Sequence, residues 1–196
     1  MMIMFKRALH TCITGIGNME PQYSGTRHNV GNIMVRMIQE QWGPGKQFQP
    51  VPGFKGIQYV SMRDTTHPDN IITLLICTGG YMNQIGKLVV PLWRRLNKKD
   101  PKIKYVVLHD ELDKSLGQVQ LRSPGTSSRG HNGLKSLTAT YGPSFHKMGI
   151  GIDRPISRSQ NEVADYVLSR FPPSSMATLR EEALPKALDK LSSLLR

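Results

Sequence analysis

The sequence predicts an α/β fold: a single domain built on a mixed, mostly parallel sheet flanked by helices on both faces. Short apolar, β-branched runs alternate along the chain with segments of helical periodicity, the pattern of strands joined by crossover helices. The 196 residues, 38% of them apolar, suffice for one sizeable core and fall short of two average domains. Internal repeats and low-complexity tracts are absent, so residues 1–196 read as one unit.

The run from Ala8 to Gly15 is apolar and β-branched, and Gly15-Ile16-Gly17-Asn18 ends it in a tight loop. From Asn29, the spacing of Val30, Ile33, Met34, Met37 and Ile38 makes one helical face, closed by Gly43-Pro44-Gly45. A polar stretch through Pro52 leads to a hairpin strand over Lys55 to Met62. Arg63 to Asn70 reads as a loop, and Ile71 to Cys77 as a strand buried on both faces. Gly79-Gly80 precedes a helix over Asn83 to Asn97, in which Pro91 predicts a kink or a break. After a turn at Lys98 to Lys102, Tyr105 to Leu108 is a buried strand ending in His109-Asp110-Glu111. A short strand (Gln118 to Arg122), a Gly/Ser loop (Ser123 to Gly130), a helix (Gly133 to Tyr141), a strand (Lys147 to Ile152) and two C-terminal helices follow.

Lys and Arg number 26 against 14 Asp and Glu, a formal charge of +12, and such a surface attracts polyanions, nucleic acid first. Cys12 and Cys77 both lie in strand-like apolar segments, which speaks for buried thiols and against a disulfide framework or a cysteine-ligated zinc. Apolar runs all fall short of the roughly 18 to 20 residues that span a bilayer, so no membrane partner is expected. Met1 to Cys12 carries Lys6 and Arg7 and no acid, faintly like a mitochondrial presequence, yet the first strand already begins at Ala8. A cytoplasmic and a mitochondrial location both stay open.

Several familiar signatures fail. A dinucleotide fingerprint opening at Gly15 needs a glycine where Glu20 stands, and the charge of Glu20 would face a pyrophosphate. Gly-Lys-Ser/Thr and His-Glu-x-x-His do not occur, and Gly125-Thr126-Ser127-Ser128-Arg129 lacks the closing glycine of a nucleophile elbow. Neither a metal nor a cofactor is expected. What remains is a set of polar residues where strands end, the usual ligand position of α/β sheets: Asn18, His28 with Asn29, Asn83, Asp110, and His131 with Asn132. Each alone is an ordinary cap or turn residue; their combination is not.

These residues sit in ordered motifs. Thr14-Gly15-Ile16-Gly17-Asn18, followed by Tyr23-Ser24-Gly25-Thr26-Arg27-His28-Asn29-Val30-Gly31, resembles the opening of bacterial-type peptidyl-tRNA hydrolases. Tyr81-Met82-Asn83-Gln84-Ile85-Gly86 looks like that family's Phe-Met-Asn-x-Ser-Gly. His109-Asp110-Glu111-Leu112-Asp113 with Gly117, and Gly130-His131-Asn132-Gly133-Leu134-Lys135-Ser136, look like its other two signatures. Gly149 to Pro155 and Asp165 to Phe171 are similar to its closing strand and lid-like helix, so the likeness runs from about residue 8 to 195. Met19-Glu20 departs from the usual Pro-Gly, Tyr81 from phenylalanine, and Thr126 and Arg129 from glycine, in a loop that is one residue longer.

The resemblance implies hydrolysis of the ester between a peptide and a tRNA, with His28 as general base. The chemistry agrees, because imidazole accepts a proton from water near neutral pH without a large shift. Asp110 suits the partner that fixes the His28 tautomer. Asn18 and Asn83 are expected to serve the oxyanion and the water, since amides donate and accept at every pH. Asn132 and Asn29 are expected to hold the water or the peptide backbone and His131 to belong to the substrate-binding set, with Tyr23 and Met82 lining a peptide channel. Arg122, Arg129, Lys135, Lys147 and Arg154 are the candidates for tRNA phosphates. The expected partner is peptidyl-tRNA and the expected state a monomer. The rivals are an inactive RNA-binding module on the same fold and a hydrolase of another acyl ester or amide.

Overall fold

The computed structural model describes residues 9–157 and 159–196. Lys6, Arg7 and the Ala8 start of the first strand lie outside the described residues. Seven strands form one sheet: β1 (His10–Gly15), β2 (Gln49–Val51), β3 (Phe54–Arg63), β4 (Ile71–Cys77), β5 (Lys104–Glu111), β6 (Val119–Arg122) and β7 (His146–Gly151), in the order β2-β3-β4-β1-β5-β7-β6. The central four, β4, β1, β5 and β7, run parallel. β3, β2 and β6 are antiparallel additions at the edges, so the sheet is mixed as expected, with its parallel part in the middle. β2 falls in the stretch read as loose and polar. Its three residues, mostly exposed and including Pro50, are too few to show alternation, and it forms because β3 offers an open edge.

Helices cover both faces. α1 (Val30–Trp42) packs with the C-terminal helices on one face, around Ile13, Leu74, Val106, Leu108 and Met148. α2 (Ile85–Lys99) and α3 (Asn132–Tyr141) cover the other, over Cys12, Leu75, Tyr105 and Val107. On that second face the Trp93 ring stacks on Tyr105 at 4.4 Å and meets Tyr141 and Phe145 edge-on, pairs of the kind that add about 0.5–1.5 kcal/mol each. α2 continues through Pro91, so the expected break does not occur. Pro91 lies on the exposed side, where the Lys87 carbonyl it leaves without a partner can bond water.

α4 (Gln160–Leu168) is followed by α5 (Pro173–Thr178) and α6 (Leu184–Leu194), the last two joined by one wide π turn, Leu179–Ala183. Pro185 lacks the N–H that would continue the regular ladder there. Both cysteines are free and fully buried, and burial pushes the Cys12 thiol up to about 12.

One glycine decides where the site lies. A Cβ on Gly31 would strike the Leu108 carbonyl oxygen of β5, so only glycine lets the first turn of α1 sit directly on the central strands. The short 3-10 turn Arg27–Asn29, just before α1, is thereby brought to the carboxyl ends of β1 and β5.

Candidate active site

At those carboxyl ends lies a cleft of about 900 Å³. Its lining includes Asn18 from the loop after β1, His28 before α1, Met82 and Asn83 after β4, Asp110 at the end of β5, and His131 and Asn132 at the start of α3. Sequence positions more than 100 apart therefore meet because consecutive parallel strands all end on the same side.

The centre is a chain of three side chains. His28 Nδ1 lies 2.8 Å from Asp110 Oδ1, and His131 Nε2 lies 2.8 Å from the same oxygen. The network assigns the protons. His131 Nδ1 caps α3 by accepting the backbone N–H groups of Gly133 and Leu134 at 3.1 and 3.3 Å, so the ring proton sits on Nε2 and is donated to Asp110. His28 likewise donates from Nδ1 to the carboxylate. Its Nε2 then carries the lone pair and has no protein partner among the described residues. The ligand atoms of the trio lie within 4.8 Å of one another, close enough for a cation. A cation would need the His131 Nε2 lone pair, and that nitrogen is protonated as long as Nδ1 caps the helix.

The electrostatics follow. Burial opposes charge on Asp110, but the two imidazoles and their hydrogen bonds outweigh it and hold the carboxyl well below the usual carboxylate range. Burial alone would lower His28; the charge of Asp110 and its hydrogen bond reverse the sign and raise it above the ordinary histidine value. His109, one residue earlier, is buried and near His131, and is pushed down to about 3. Neutral His109 donates from Nδ1 to the Asp110 carbonyl at 2.7 Å.

The loop carrying Asn18 is fixed from two sides. Asn29 Nδ2 donates to the Asn18 carbonyl at 2.9 Å, and Asn29 Oδ1 accepts the Asn18 N–H at 2.8 Å. Asn18 Oδ1 accepts the Met82 N–H at 2.7 Å, which leaves its amide N–H groups for the cleft. Tyr23 and Tyr81 meet edge-on at 6.5 Å on the rim, and Val163, Ala164, Val167 and Leu168 of α4 form an apolar wall.

The family profile described as peptidyl-tRNA hydrolase matches residues 12–196. The chain belongs to the peptidyl-tRNA hydrolase family. A peptidyl-tRNA hydrolase of Saccharomyces cerevisiae is 42% identical over 182 residues, covering 89% of this chain and 91% of the relative. One from Rickettsia bellii is 32% identical, covering 93% and 92%. The crystal structure of peptidyl-tRNA hydrolase from Acinetobacter baumannii superposes with a TM-score of 0.77 at 29% identity, covering 96% of this chain and 90% of that one.

Within this family frame the structure brings His28, Asp110, Asn18, Asn83, Tyr23, Met82, His131 and Asn132 to one cleft. Two of them differ from expectation in what their atoms can do. Asn29 is fully buried with both amide atoms on Asn18, and it does not line the cleft. His131 lines the cleft, but both ring nitrogens are engaged by Asp110 and α3. Substrate contact by their polar atoms is corrected to support of the groups beside them.

Among the basic candidates, Arg129, Lys135 and Arg154 stand around the cleft. Arg122 and Lys147 do not stand at the surface: they are 7% and 0% exposed. They are register partners on β6 and β7, turned by strand alternation to the face that carries Phe145. Lys147 Nζ lies 4.5 Å from the centre of that ring, and Arg122 donates to the Ser127 carbonyl and faces Glu111 at 3.6 Å.

Sequence reasoning missed Arg27. Its guanidinium donates to Ser169 Oγ at 2.6 Å and to the Arg170 carbonyl at 3.0 Å, and lies over the Tyr166 ring at 4.4 Å. It ties the end of α4 to the residue beside His28. The available signal was an arginine next to a candidate base, with aromatic residues at 166 and 171. Glu20, used to reject a dinucleotide site, accepts two bonds from Arg36 and one from Asn32, which steadies the same loop.

Proposed function

We propose that this chain hydrolyses peptidyl-tRNA by direct attack of water on the ester, with His28 as the base. The carrying observation is the His28–Asp110 pair: Nδ1 is held at 2.8 Å and Nε2 is left bare in a cleft. Water gives its proton to His28 Nε2 as its oxygen bonds to the ester carbonyl carbon. The tetrahedral adduct then breaks the bond to the ribose oxygen, which takes the proton back from His28. Base catalysis of this kind contributes roughly a hundred to ten thousandfold.

The free amide N–H groups of Asn18, and Asn83 next to the Met82 amide that Asn18 holds, serve the developing oxyanion and the water, and Asn132 holds the peptide backbone. Oxyanion donors in such sites typically add about 3–4 kcal/mol each. Arg129, Lys135 and Arg154 grip phosphates at the mouth. All these groups come from one chain, which supports action as a monomer. An inactive RNA-binding module gains no support, because RNA binding has no use for a histidine poised on a carboxylate, and the relatives named above are hydrolases.

The test is incubation with N-acetylaminoacyl-tRNA and with free aminoacyl-tRNA, without added metal, following acyl release. Release from the blocked substrate alone is expected. Binding without release would move the chain to the RNA-binding reading.

A further inference from the structure

The formal charge is unevenly distributed. Residues 160–196 carry five bases and five acids, whereas residues 85–104, α2 with the turn and strand start that follow, carry seven bases and one acid. Half of the net +12 therefore belongs to one helix and its exit. The lone acid, Asp100, faces His10 at 3.9 Å.

On α2, Lys87, Arg94 and Lys98 repeat at seven and four residues and form one stripe, flanked by Arg95 and Lys99 and continued by Lys102. All six are exposed, and none forms an ion pair among the described residues. The two arginines are steadied by neutral carbonyls, Arg94 on Thr140 and Arg95 on Pro52, so their charges stay uncompensated. The stripe also starts at the site. Asn83 and Gln84, which line the cleft, immediately precede α2, and Lys135 of the neighbouring α3 lines the cleft as well. From there α2 leads away for about 22 Å, the length of 15 helical residues.

We propose that the solvent face of α2 is a track for the phosphates of a double-helical RNA stem, the stem of the tRNA whose acyl end occupies the cleft. This rests on the functional reading above. The chemistry of the face selects the partner. α2 exposes no aromatic side chain of its own on which unpaired bases could stack, as single-strand binders use, because its one aromatic, Trp93, is buried. Its exposed side is free of large apolar side chains, and the apolar face of α2 is buried against the sheet, so a membrane surface would find nothing to insert. Uniform positive charge on long, flexible side chains fits a sequence-independent phosphate backbone.

The test replaces the four lysines that make no side-chain hydrogen bond among the described residues: Lys87→Gln, Lys98→Gln, Lys99→Gln and Lys102→Gln together. Binding of full-length uncharged tRNA and of a single-stranded oligonucleotide ending in CCA is measured at several salt concentrations. The tRNA is expected to bind about tenfold more weakly, with a salt slope lower by about 3, given close to one unit per phosphate contact. The oligonucleotide is expected to change less than twofold. The matching Lys→Arg variant is expected to bind tRNA as the parent does. Equal effects on both ligands, an unchanged tRNA slope, or loss in the Lys→Arg variant would overturn the track. Tighter binding of the parent to phosphatidylserine vesicles than to tRNA would overturn it in favour of a membrane. Acyl release by the parent is scored separately, so failure of the hydrolase reading leaves a distinct signature from failure of the track.

Discussion

Asn29 and Asn18 exchange two hydrogen bonds, side chain to backbone, in the way two paired strands do. The amide that follows His28 in sequence therefore builds the loop that presents the next polar group of the cleft. Asn29→Ala leaves a buried N–H and a buried carbonyl without partners, each costing about 1–3 kcal/mol. Denaturant unfolding is expected to show a loss of about 2–6 kcal/mol on the same basis. Unchanged stability with weakened peptide affinity would instead make Asn29 a direct substrate contact.

The raised pKa of His28 fixes the sign of the pH response. Only neutral His28 accepts a proton, so the acid limb of kcat/KM is expected above the ordinary 6.5. Asp110→Asn removes the charge that raises it and leaves burial, so the limb moves below 6.5 while the rate falls by roughly a thousand to ten thousandfold through loss of the tautomer. For stability the sign is the same pair seen from the other side. The ion pair of charged His28 with Asp110 contributes below pH 6.5 and is lost as pH rises through the raised value. A limb that stays in place in Asp110→Asn contradicts the pairing.

His131 can be divided into its two roles. Asparagine at 131 still caps α3, but its shorter side chain cannot also reach Asp110. His131→Asn is expected to keep the helix cap but to lower stability by about 1.5–3 kcal/mol through the lost bond to buried Asp110, while turnover falls about tenfold, the worth of one hydrogen bond to a charged group. Equal loss of cap and turnover would mean that His131 acts only through helix placement.

Arg27→Met keeps an apolar stem near Tyr166 and Phe171 and removes the bonds to Ser169 and Arg170. Hydrogen exchange over residues 160–168 is expected to speed up, with a higher KM for peptidyl-tRNA and a smaller change in kcat. Unaltered exchange there would leave α4 anchored by its apolar contacts alone.

How much of this was legible in the sequence depended on the kind of statement. Asn18, His28, Asp110 and Asn132 could be placed because each stands where a strand ends or a helix begins and because the ordered motifs around them resemble those of a known family. What their atoms do could not, since the engagement of Asn29 with Asn18 or of His131 Nδ1 with α3 is settled only once the strands are side by side. Arg122 and Lys147 show the same limit differently. In short strands, alternation says that two residues share a face but not which face is covered. β2 escaped because three residues have no period.

The placement of Cys12 and Cys77 in the middle of the sheet has a bearing on oxidative chemistry. Peroxide and electrophiles attack thiolates, and a thiol whose pKa is pushed up to about 12 behind fully packed strands presents almost none at neutral pH. Neither sulfur lines the cleft, so oxidation of the two thiols has no direct route to the reacting groups.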